Sequence, residues 1–117
     1  MYTIAKKFSF SASHTIPNLP PGHPCGCLHG HNYEVTIELC SPLLNRSGFV
    51  YDFNEIKSVK GWIDETLDHR HLNDVMPRPT SEELARFIHD KAKKILGRDV
   101  VAVRVSETPN TWAEYRP

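Results

Sequence analysis

Two cysteines and two histidines fall within seven residues, Cys25-Gly26-Cys27-Leu28-His29-Gly30-His31. Thiols and imidazoles bind borderline cations, act as nucleophiles and move protons near neutral pH. What they do here depends on which of them point the same way. His29 and His31 are two apart, so on a strand both project from one face. That face continues through Tyr33, Val35, Ile37 and Leu39. His14 closes the apolar parity of an earlier alternating run, so three histidines can converge at one end of a sheet. Three imidazoles with a fourth position open is the arrangement expected of catalytic zinc, whereas a closed structural site recruits four protein ligands. The spacing leaves an alternative open, a mixed site of Cys25, Cys27, His29 and His31. Both cysteines lie in a loop, and spacing does not choose between them. A thiol near a dication gives up its proton more readily and can serve as base or nucleophile. Cys40, on a polar parity, reads as a passive small side chain.

Other residues carry chemistry more weakly. Asp68-His69 sets a carboxylate beside an imidazole, the pairing in which an acid orients a proton-transfer group. A helix C-terminus also favours a charged histidine there. Glu107 falls on the buried parity of a strand, which is costly unless an internal cation, amide donors or a ligand satisfies it. The guanidine-like edge of a pterin or guanine would suit it in bidentate fashion. Thr80 and Ser81 read first as helix-capping residues and second as hydroxyl and N–H donors to a ligand. His71 and His89 read as surface residues, and His23 as a loop residue.

The elements that must position these groups follow from periodicity. Residues 2–14 alternate, with Phe8, Phe10 and Ala12 opposed to Lys7, Ser9 and Ser11, as in a strand with one buried face. Residues 15–30 are rich in proline and glycine and form a loop. Residues 31–40 alternate again, giving an antiparallel ribbon. Phe49–Tyr51 reads as a short extended piece. Ile56, Val59, Ile63 and Leu67 then follow helical spacing, with Asp52 and Glu55 as a capping box. A second helix starts at Thr80, with Glu83 completing its capping box. Its stripe is Leu84, Phe87, Ile88, Ala92 and Ile95, and Gly97 is its stop. Val101, Val103 and Val105 return to period two, and residues 111–115 make a last strand. The order ββααββ predicts an α+β domain over residues 1–117, with two helices on one face of an antiparallel sheet.

Composition excludes some partners. The chain has 14 basic and 14 acidic residues, so nothing in the balance favours nucleic acid or an anionic membrane. No apolar run approaches the ~20 residues of a membrane span. The alternating N-terminus reads as mature structure, not as a signal peptide. Three cysteines, two nearly adjacent, do not make a disulfide framework, and a reduced cytoplasmic location is expected. At 117 residues the core is modest, and oligomerisation would bury more surface.

Taken together, FSASH at 10–14, Cys25-x-x-x-His29-Gly30-His31, LDHRHLND at 67–74, PTSE at 79–82 and SET at 106–108 resemble the 6-pyruvoyl-tetrahydropterin synthase family across essentially the whole chain. The resemblance implies the tunnelling fold, with trimers stacked as a hexamer and active sites between subunits. By residue matching it implies zinc on His14, His29 and His31, Cys25 as catalytic cysteine, Asp68 and His69 as a catalytic pair, and Glu107 as pterin anchor. Three residues between Cys25 and the HGH motif match the branch that forms 6-carboxytetrahydropterin for 7-deazaguanine synthesis. The implied substrate is the small molecule 7,8-dihydroneopterin triphosphate. The pyruvoyl reaction on that substrate, and a non-enzymatic zinc module, are the alternatives. Cys27 departs from the motif only at a variable position and reads as a bystander.

Overall fold

The structure, a computed structural model, describes all residues from Met1 to Pro117. Strands β1 (Tyr2–His14) and β2 (His29–Ser41) pair antiparallel along their whole length, from Tyr2 opposite Ser41 to His14 opposite His29. The alternation decides this register. Phe8, Phe10, Ala12 and His14 share a buried face with Tyr33, Val35, Ile37 and Leu39. A slip of one residue would turn one strand's set outward. Strand β2 begins two residues before the predicted alternation, and so takes in both histidines of the motif.

Helix α1 (Lys57–Thr66) buries Val59 and Ile63, and the flanking Ile56 and Leu67 are equally buried, as their spacing predicts. The Asp52–Glu55 pair does something different from a capping box. The Asp52 carboxylate accepts the Asn54 N–H at 2.8 Å and caps a separate 3₁₀ turn, Phe53–Ile56, ahead of the helix. Phe49–Tyr51 pairs with no strand, the chain bends at Val50 and Tyr51, and Val50 tucks into the core. Strand β3 (Arg70–His71) is an addition to the predicted order. It lies parallel to β1, with Arg70 opposite Ala12 and His71 opposite Ser13. His71 is half-buried there, its Nδ1 3.0 Å from the Ser13 hydroxyl, and is not a free surface residue.

Helix α2 (Ser81–Leu96) is capped by Thr80, whose hydroxyl accepts the Glu83 N–H at 3.2 Å. Glu83 does not reach back to complete the box. It pairs with Arg78 at 3.2 Å, and the Thr80 N–H donates to the Arg78 carbonyl. Gly97 ends the helix at φ 63°, a left-handed position that suits glycine. The buried stripe is Leu84, Ala85, Ile88, His89 and Ala92; Ile95 turns outward. Strands β4 (Ala102–Thr108) and β5 (Thr111–Tyr115) complete a mixed five-stranded sheet in the order β3-β1-β2-β4-β5. Both helices share one core with one sheet face. The opposite face carries Lys7, Ser9, Glu34 and Thr36. No helix is long and apolar enough to cross a membrane.

His89 corrects the sequence reading, being 4% exposed. Its Nε2–H donates to the Val100 carbonyl at 2.7 Å, Nδ1 lies 3.0 Å from the Asp90 carboxylate, and the ring packs edge-on to Tyr115. The histidine thus ties α2 to the chain entering β4. A His89→Ala substitution leaves a buried carbonyl unpaired, and is expected to cost about 1–3 kcal/mol. A shift in the urea midpoint without loss of the far-UV signal would register it; an unchanged midpoint would contradict the tie.

Candidate active site

The β1–β2 register sets His14 across from His29, and His31 follows on the same face. Their ligand atoms all lie within 4.8 Å of one another, and this three-histidine group can hold a metal ion. It forms without either cysteine.

The hydrogen bonds fix which ring nitrogen is free. His14 Nδ1 lies 2.8 Å from the Pro79 carbonyl, and His29 Nδ1 lies 2.7 Å from the Cys27 carbonyl. A carbonyl oxygen only accepts, so in each ring Nδ1 carries the proton and Nε2 bears the lone pair. Those two Nε2 atoms face each other at 2.9 Å. Two lone pairs at that distance repel unless a cation lies against both. An extra proton is a poor substitute on His14, because burial lowers its pKa from the ordinary histidine value. His31 Nε2 is buried without a hydrogen-bond partner; Glu107 Oε2 lies 3.3 Å away but out of line for one. Three converging imidazoles, two of them held in orientation by carbonyls, fit a borderline divalent metal. Tyr33 supports the set from below. It is fully buried, its hydroxyl 3.2 Å from His14 Nδ1, and burial raises its pKa.

Beside the histidines lies a cavity of about 340 Å³, lined among others by His14, His23, Cys25, Ser81, Glu107 and Trp112. Thr80 lines it too. Glu107 keeps the predicted parity but stands at the end of β4, its side chain 26% exposed. It is therefore a half-buried carboxylate at a cavity wall, not a core residue. Its Oε1 accepts the Ser81 hydroxyl at 2.8 Å, so Ser81 orients the carboxylate. Thr80 remains occupied as the helix cap. Cys27 is exposed and lines a separate hollow with Pro17 and Leu19.

Asp68 and His69 are not brought to this cavity within one chain. His69 opens with His31, Ser11 and Ser13 onto a different hollow. The pair is nonetheless built. Asp68 Oδ1 accepts the Ser11 N–H at 2.9 Å, and its Oδ2 lies 3.0 Å from His69 Nδ1. His69 sits at φ 58° with its own N–H on the Ser11 carbonyl at 2.6 Å. A non-glycine residue in that region is strained. Here β1 and the Asp68 carboxylate hold it. The Ser11 N–H, then His69, lower the Asp68 pKa below the usual carboxylate value. A depressed folded value adds stability that is present above the unfolded value of about 3.9 and is lost as pH falls through the folded one. The difference in melting temperature between wild type and Asp68→Asn should therefore be constant near neutrality and shrink below about pH 4. A difference independent of pH would contradict the assignment.

Sequence reasoning missed Tyr33 as a partner of His14, the Pro79 and Cys27 carbonyls, His23 and Trp112. Trp112 lies in β5, with the Arg104 guanidinium 3.8 Å from its ring centre. Its only sequence signal was an aromatic residue beside the polar turn between β4 and β5.

Fold and site together define a class: an α+β protein with a metal-capable histidine triad at the end of a β-ribbon and a polar cavity beside it. The chain belongs to the 6-pyruvoyl tetrahydropterin synthase family, which it matches over residues 3–117. It is an enzyme of that family with the tunnelling fold. It is 40% identical over 110 residues to a protein of Archaeoglobus fulgidus, covering 92% of this chain and 90% of that one. It is 35% identical over 126 residues to the 6-carboxy-5,6,7,8-tetrahydropterin synthase of Bacillus subtilis, covering 99% and 86%. The Caenorhabditis elegans 6-pyruvoyl tetrahydropterin synthase structure superposes with a TM-score of 0.87 at 27% identity, covering 99% of this chain and 95% of that one.

Proposed function

We propose that the protein converts 7,8-dihydroneopterin triphosphate to 6-carboxy-5,6,7,8-tetrahydropterin, acetaldehyde and triphosphate, with zinc held by His14, His29 and His31. The observation that carries this reading is the pair of facing Nε2 atoms of His14 and His29, 2.9 Å apart, beside a cavity that His14 lines together with Cys25 and Glu107. A metal with an open position beside a substrate-sized cavity serves catalysis, and a structural site needs neither. The three-residue gap between Cys25 and HGH, and the Bacillus subtilis relative, support the carboxy product.

When bound, zinc supplies Lewis acidity that makes protons beside the side-chain hydroxyls easier to remove. The rest is the work of the chain. The Glu107 carboxylate, oriented by Ser81, takes the N–H donors of the pyrimidine edge and sets which side-chain carbon lies at Cys25. Cys25, as thiolate, removes a side-chain proton. Asp68 orients His69, which returns a proton to the ring. The side chain is oxidised as the pterin ring is reduced, so no external redox cofactor is required. Triphosphate leaves, and addition of water with carbon–carbon cleavage releases acetaldehyde.

Because Cys25 and His69 line different hollows of one chain, the proposal includes a homo-oligomer, trimers stacked as a hexamer, in which a second copy brings its exposed His69 to the cavity. The location that suits the reduced thiols is the cytoplasm.

The test is to incubate the zinc-loaded, reduced protein with 7,8-dihydroneopterin triphosphate without oxygen and identify the products by mass spectrometry. Acetaldehyde with 6-carboxytetrahydropterin supports the reading. A 6-pyruvoyl product without acetaldehyde would assign the reaction of the Caenorhabditis elegans neighbour instead. No turnover by the metal-loaded protein would defeat both. Glu107→Gln keeps the shape but removes the charge. It is expected to weaken pterin binding about tenfold or more at unchanged zinc content, as read by equilibrium binding and metal analysis. Equal affinity would remove the anchor role.

A further inference from the structure

We infer that His23 is a positioning residue for Cys25, holding the turn that presents the thiol to the cavity. This rests on the reading of Cys25 as the catalytic thiol. The local chain is a single 3₁₀ turn, Pro24–Gly26, inside a loop of fourteen residues between β1 and β2. So short a turn has little intrinsic stability, since its hydrogen bonds are few and its backbone entropy is large. Yet both backbone polar groups of Cys25 are taken. Its N–H donates to the His23 ring Nδ1 at 3.1 Å, and its carbonyl accepts the Ile16 N–H at 2.9 Å. The Gly26 N–H donates back to the His23 carbonyl at 3.0 Å, and the Cys27 N–H to the Pro24 carbonyl at 3.2 Å. Pro24 takes the first position of the turn, where its missing N–H costs nothing. His23 is therefore the N-cap, in extended conformation at φ −66°, ψ 129°.

Serine, threonine, aspartate and asparagine are the usual caps. A histidine caps only with a lone pair on Nδ1, which in the neutral ring leaves the proton on Nε2. The side chain belongs to the site as well as to the turn, because His23 lines the same cavity as Cys25 and Glu107. The turn is also continuous with the metal ligands, since Cys27, whose N–H closes it, orients His29 through its carbonyl. The imidazole of His23 thus sets where the thiol stands relative to the triad, and does so from within the cavity wall.

The experiment compares His23→Ala and His23→Asn in the zinc-loaded, full-length protein carrying Cys27→Ala, so that alkylation in the loop reports Cys25 alone. Asparagine restores the cap without the ring. Turnover of 7,8-dihydroneopterin triphosphate and the rate of Cys25 alkylation by iodoacetamide, localised by peptide mass spectrometry, are the readouts. Metal content and the urea midpoint are measured alongside. Displacing a reacting group by an ångström can cost about 10²-fold. His23→Ala is therefore expected to lower kcat by about tenfold or more, with KM nearly constant and the alkylation rate changed. His23→Asn should recover most of both. If His23→Ala fails to fold or loses metal, His23→Asn carries the test by itself: near wild-type kcat supports the positioning role. An asparagine variant as impaired as the alanine one, or an effect confined to KM, would overturn the inference in favour of direct substrate contact. An alanine variant with unchanged kcat and unchanged alkylation would overturn it outright. If Cys25→Ala keeps full activity, the functional reading fails, while the alkylation comparison still decides whether His23 sets the thiol.

Discussion

A His29→Ala protein is expected to lose its bound metal and its turnover while keeping its fold. Removing a group that merely supports a ligand typically lowers metal affinity 10–100-fold, so deleting one of three ligands should cost more than about 100-fold. The fold should survive because His29 stands at the very end of the β-ribbon and is only half-buried. Eleven further residue pairs of the ladder, from Tyr2–Ser41 to Ala12–His31, do not involve it or its neighbour Gly30. In this variant the Cys27 carbonyl loses its donor, but it lies on an exposed residue and water replaces the bond. Metal content after dialysis, competition with a chelator and far-UV circular dichroism would check the three parts separately. Full metal occupancy would show that the triad is not the site. His14→Ala should differ in kind. His14 is 1% exposed and bonded to Pro79, with Tyr33 against it. Its loss should lower the melting temperature as well as the metal content.

The contrast between these two histidines also marks what periodicity can reveal. Period-two alternation carries register, and register alone brings His14 opposite His29 with His31 beside them. That part of the site was legible because the burial of eight side chains enforces it. The helix stripe was legible for the same reason, down to Ile56 and Leu67 beyond the ends of α1. Ile95 failed because the stripe rotates away from the core near the helix end, and Leu96 packs there instead. His89 was misread from its polarity alone, although four residues after Ala85 and three before Ala92 it stands on the buried face of α2. Strand β3 has two residues and no period to read, so the sheet's parallel edge was invisible. The same applies to the backbone around Asp68-His69. Its geometry comes from the Ser11 N–H and carbonyl, fifty-seven residues from Asp68, and no local pattern encodes such a contact. The His23 cap was hidden because histidine is not an expected cap, and its evidence is a hydrogen bond, not a spacing.

Cys25→Ala should separate catalysis from metal binding. A proton-transfer group in the transition state typically contributes about 10²–10⁴-fold, so kcat should fall by that order while zinc content stays at the wild-type level. The triad gives the reason for the second half. It is formed by His14, His29 and His31, and no cysteine belongs to it. Cys25 faces the cavity from a turn whose backbone bonds do not depend on its side chain, because the His23 and Ile16 contacts use its N–H and carbonyl. The geometry of the loop should therefore persist in the variant, and KM with it. Cys27→Ala is the matched control. That residue is exposed and lines another hollow, and its carbonyl, not its thiol, orients His29. It should keep both zinc and turnover. Steady-state kinetics with metal analysis on the two variants decides between the roles. Loss of zinc in Cys25→Ala would move that cysteine into the metal site, and loss of turnover in Cys27→Ala alone would exchange the two thiols. A fall in kcat confined to Cys25→Ala, at full metal occupancy, leaves one thiol beside the triad to take the substrate's proton.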